Sequence, residues 1–81
     1  MANQVEVMKS VLNKLEDIKN TQQSLIEKVG QVEVDLFEIK SEQLDKRLEK
    51  VHQAAADSLD VITEAIEDFE IKKNQIEQGL K

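Results

Sequence analysis

Apolar residues recur at alternating three- and four-residue steps through the first half of the chain. With Met8 as position a of a heptad, the a positions hold Met8, Leu15, Gln22, Val29 and Leu36, and the d positions hold Val11, Ile18, Leu25, Val32 and Ile39. Nine of these ten residues are apolar. Side chains three and four apart share one face of a helix, whereas a strand would need a period of two. The spacing therefore predicts an amphipathic helix whose seam must be covered by another helix. Its start is also written in the chain: Asn3 can cap, and Glu6 stands three residues on, as in a capping box.

Residue type at the seam carries further information. Four of the five d residues, Val11, Ile18, Val32 and Ile39, are β-branched. Leu at a with Ile at d, as in Leu15/Ile18 and Leu36/Ile39, favours three or four strands over a parallel dimer. Leu12 and Ile26 at e widen the apolar face in the same sense. Gln22 is the polar a residue, either a selector of register and strand number or a tolerated polar layer. Between parallel identical chains, Lys28–Glu33 and Asp35–Lys40 would attract and Lys14–Lys19 would repel, which is weak support for that pairing.

A second stripe follows, through Leu44, Leu48, Val51, Ala55, Leu59, Ile62, Ile66, Phe69, Lys73, Ile76 and Leu80. Two consecutive four-residue steps around Ala55 make a stutter. Lys73 interrupts the stripe, and such a lysine ordinarily carries its ammonium out to solvent. The two stripes are out of phase, because continuing the first beyond Ile39 places polar Gln43 and Lys46 on the seam. The expectation is a single all-α coiled-coil or helical-bundle domain over residues 1–81, with a change of phase within 30–45. One long, gently broken helix is the first choice, since residues 40–47 contain neither Gly nor Pro. The alternative is a helical hairpin. Its better form breaks at 30–35, with Gly30 ending one helix and Asp35/Glu38 boxing the next; the other breaks at 41–43, with Ser41 as cap.

Composition narrows the function. The chain has 81 residues without Cys, Pro, Trp or Tyr, and aromatics are 2% of it. A disulfide framework, a thiol nucleophile and aromatic stacking platforms for nucleic acid are thereby excluded. Eleven Lys and Arg against seventeen Asp and Glu give a net charge of −6, which disfavours direct contact with nucleic acid or an anionic membrane. No apolar run reaches the ~20 residues of a spanning helix, and the first residues lack the pattern of a secretory signal, so a cytoplasmic protein is expected.

Candidate chemistry is sparse. No nucleophile elbow or phosphate-binding glycine loop is present, so no catalytic residue, cofactor or enzyme activity is expected. Glu49 and His52 form a Glu-x-x-His pair of the kind found in carboxylate bundles, with Glu33, Asp35 or Glu38 as further donors. So short a motif arises often in a Glu-rich chain, and no metal site is expected. Asp57, Asp60, Glu64 and Asp68 recur at 3-4-4 spacing on one face, opposite the apolar stripe. They form a candidate docking face for a basic partner protein, or simply the solvated outer face of a bundle.

No motif ties the chain to a particular family. The expected function is non-enzymatic assembly by self-association, as a trimer, a tetramer or a dimer of hairpins. Met8, Val11, Leu15, Ile18, Gln22, Leu25, Val29, Val32, Leu36 and Ile39 would carry one interface. Leu48, Val51, Leu59, Ile62, Ile66, Phe69, Ile76 and Leu80 would carry the other. The alternative function is a small acidic inhibitor or regulator that covers a basic surface of its partner.

Overall fold

The computed structural model describes residues 3–79. Leu80, placed on the second seam by its spacing, lies outside the described residues. Among the described residues there are two helices: α1 over Gln4–Asp35 and α2 over Glu42–Glu77. Their lengths of 32 and 36 residues correspond to ~48 and ~54 Å at 1.5 Å per residue. The long axis of the molecule is 58 Å, so the helices lie side by side as an antiparallel hairpin.

Both helix starts follow local chemistry. Asn3 accepts a 2.8 Å hydrogen bond at Oδ1 from the Glu6 backbone N–H. Ser41, in extended backbone, accepts one of 3.3 Å at Oγ from the Leu44 N–H, and Glu42 and Asp45 place negative charge in the first turn of α2. The reversal occurs over residues 36–41. There the Phe37 N–H donates to the Val34 carbonyl and the Glu38 N–H to the Asp35 carbonyl, both at 3.1 Å, tightening the last turn of α1.

The chain thus takes the hairpin arrangement with Ser41 as cap, rather than one long helix. It does not break at Gly30: α1 runs through it, Asp35 is its last residue, and the box of Asp35 with Glu38 does not start a helix. A glycine inside a helix costs only about 1 kcal/mol, which packing against α2 along the rest of α1 outweighs. The turn takes in Leu36 and Ile39, the last residues of the first stripe, just before its continuation would have been polar at Gln43 and Lys46, so the change of phase and the reversal coincide.

The interior is thin. Among the described residues Met8 and Val29 of α1 and Ala55 and Ile66 of α2 are buried, and no polar residue is. Leu15, Leu36, Leu12 and Ile26 are partly covered, as are Leu48, Leu59, Ile62, Phe69 and Ile76 on the other helix. Position a, flanked by e, is therefore the line along which α1 meets α2. Lys73 sits in this seam with only 16% of its side chain exposed, and its ammonium reaches Glu77 at 3.4 Å.

Candidate functional site

Turning a and e toward α2 leaves the d positions at the edge of the contact. Val11 is half-buried, but Ile18, Leu25 and Val32 remain 45%, 39% and 39% exposed. The stripe that reads as one seam is thus divided. Half of it closes the hairpin, and half faces outward.

Two sets of side chains show what lies beside this column. Gln4, one heptad before Val11, lines a groove with Asp68, Ile71, Lys72, Gln75 and Ile76 of α2 and with Gly79 just past its end. Counting inward by sevens from Gly79 gives Lys72, Ala65, Ser58 and Val51, all exposed. Columns that share a groove at the open end of an antiparallel pair continue side by side along it. One broad side of the hairpin therefore carries Ile18 level with Ala65, Leu25 with Ser58, and Val32 with Val51.

The opposite side is polar. Lys9 and Glu77 are paired across the helices at 4.0 Å. Counting inward by sevens from them gives Glu16, Gln23 and Gly30 on α1, and Glu70, Thr63 and Ala56 on α2. The hairpin has one apolar broad side and one hydrophilic one.

The turn is a further apolar feature. Phe37 is 81% and Ile39 73% exposed, the two most uncovered large apolar residues described. A depression of about 440 Å³ beside them is lined by Glu33, Leu36, Lys40, Ser41, Glu42 and Asp45. Its polar groups are ordinary surface carboxylates, a lysine and the capping serine, and nothing in it resembles a nucleophile with an adjacent base.

The remaining sequence candidates are spread over the surface. Glu49 and His52 are both exposed on α2. Among the described residues no three His, Asp or Glu converge in a way that could hold a metal ion. Asp57, Asp60, Glu64 and Asp68 are all exposed on the outer ridge of α2, away from α1. Asp57 accepts a 2.9 Å hydrogen bond from Gln53 Nε2, and none of the four is in an ion pair among the described residues. Gln22 lies half-buried in the hairpin seam, and no buried polar side-chain atom described lacks a hydrogen-bond partner.

What the spacing alone left unseen is the column of small residues, Ser58 and Ala65, beside the d residues. Neither belongs to an apolar stripe, and only the hairpin brings them next to Ile18 and Leu25. Among the described residues no helix is long and apolar enough to cross a membrane. No protein-family model, curated protein or solved structure matches the chain.

Proposed function

We propose that this is a non-enzymatic assembly protein of the cytoplasm, acting as a scaffold, tether or structural component of a larger complex through self-association. The observation that carries this is the outward-facing d column of Ile18, Leu25 and Val32 on a hairpin with only four buried residues described. Surface area supports it. The chain exposes 6419 Å² at a mass of 9.3 kDa, against about 5,000 Å² for a compact monomer of that mass. The excess exceeds the ~800 Å² each partner buries in a standard interface. Sedimentation equilibrium across the micromolar range tests the proposal. A mass that is a multiple of 9.3 kDa is expected, and a monomer that melts cooperatively at every concentration would overturn it.

A second reading has its own observation, the outer acidic ridge of Asp57, Asp60, Glu64 and Asp68, which is exposed and without ion-pair partners among the described residues. In that reading the protein is an acidic inhibitor or regulator covering a basic surface of another protein. Reversing the four charges would then abolish a salt-sensitive pull-down while leaving the mass of the assembly unchanged.

A further inference from the structure

We infer that the second copy docks on the Ile18–Leu25–Val32 side about a two-fold axis parallel to the helices. Both turns then lie at the same end, and α1 of each protomer packs on α2 of its partner. This rests on the self-association proposed above and adds its orientation.

Three features select this arrangement. The first is shape. With both turns at one end, Ile18 of one protomer meets Ala65 of the other, Leu25 meets Ser58, and Val32 meets Val51. The two layers farther from the turns, Ile18 with Ala65 and Leu25 with Ser58, set large side chains against small ones, which fills space without voids. With the turns at opposite ends, α1 would lie on α1 and α2 on α2. Large residues would then face large ones on one side of the bundle, and Ser58 and Ala65 would face each other on the other.

Charge is the second. Lys14, Lys28 and Asp35 flank the d column at position g. Within about half a turn, Lys14 is level with Asp68 and Asp35 with Lys50, both on the flank of α2 between the small-residue column and the outer ridge. Turns together therefore bring opposite charges to both of these places. Turns apart would bring Lys14 against Lys28 of the partner and lay one acidic ridge of α2 beside the other. Exposed pairs are individually weak, but opposite charges at two places in one arrangement, against like charges in the other, favour turns together.

The third is the turn itself. Phe37 and Ile39 are the most exposed large apolar residues described, and they lie at one end of the molecule. Only the same-end arrangement brings the two copies of this apolar cluster together. The face available measures 58 × 20 Å, more than the ~800 Å² per partner that a stable dimer needs.

Because the chain has no cysteine, a single introduced one is a unique labelling site. Glu38→Cys lies in the exposed turn, and Gln78→Cys lies at the open end. Spin labels on Glu38→Cys should give one short distance, roughly 10–30 Å for one or two interaxial spacings plus the label arms. Mixing chains labelled at the two sites should add a separation near the 58 Å long axis. A dimer whose Glu38→Cys labels stand near 58 Å apart would overturn the orientation and leave self-association intact. A monomer at all concentrations would overturn both. As a second arm, Ala65→Arg should weaken dimerisation more than tenfold with helicity unchanged, while Gln23→Arg on the polar side should leave it within about twofold. An unaltered dissociation constant for Ala65→Arg would sink the proposed contact.

Discussion

Lys9 and Glu77 form an ion pair across the two helices, with 4.0 Å between Nζ and Oε2, and Glu77 also receives Lys73 through its other oxygen at 3.4 Å. The first turns of α1 and the last turn of α2 are thereby tied on the hydrophilic side of the hairpin. All three side chains are at least partly solvated, so the tie is modest. Glu77→Gln is expected to lower stability by about 0.2–1 kcal/mol in dilute salt and by less at 1 M salt. Urea melts at the two ionic strengths check this.

The divided stripe predicts two kinds of failure from one substitution type. Ile18→Asp puts a charge on the outward d column, where it blocks the partner but can remain hydrated in the monomer. Helicity should persist at high concentration while the mass falls to that of one chain. Val29→Asp or Ile66→Asp puts the charge between α1 and α2, where both residues are buried. Helicity itself should then be lost, because an isolated carboxylate is costly to remove from water. Circular dichroism and light scattering on the same samples separate the two outcomes.

Gly30 lies within α1, and a Cβ built on it would meet nothing within 4 Å. Gly30→Ala should therefore stabilise the helix by roughly 1 kcal/mol, through propensity and the reduced freedom of the unfolded chain. Gly79 is the opposite case. Its φ of +76° lies in the left-handed region, so Gly79→Ala should destabilise the end of α2. Denaturant midpoints at one fixed protein concentration are the comparison to make.

Ser41 caps the helix that begins the return leg of the chain. Ser41→Ala removes the bond to the Leu44 N–H and should cost about 1 kcal/mol. Ser41→Asp should retain most of the stability, since a carboxylate caps equally well. Equal losses for both variants would show that the turn is held by packing of its neighbours rather than by the cap.

Melting temperature should rise with protein concentration, because association stabilises the folded hairpin by mass action. A tenfold dilution that leaves it unmoved would argue for a self-sufficient monomer.

Much of this structure is legible in the order of residues. Helicity, the caps at Asn3 and Ser41, the apolar stripes and the change of phase between them are local properties, set by side-chain spacing and hydrogen bonding over a few residues. Whether the chain would reverse, and where, was less so. Gly30 offered a break and residues 40–47 offered neither Gly nor Pro, yet the reversal lies at 36–41. A local propensity of about 1 kcal/mol is small beside the packing of two long helices.

Tertiary structure alone decided how the stripe is shared. By period, positions a and d are equivalent members of one seam. The rotation of α1 about its own axis, set by how it packs against the line of Ala55 and Ile66, turns a inward and leaves d at the edge. That rotation is a property of two surfaces meeting, and no spacing along a single helix contains it.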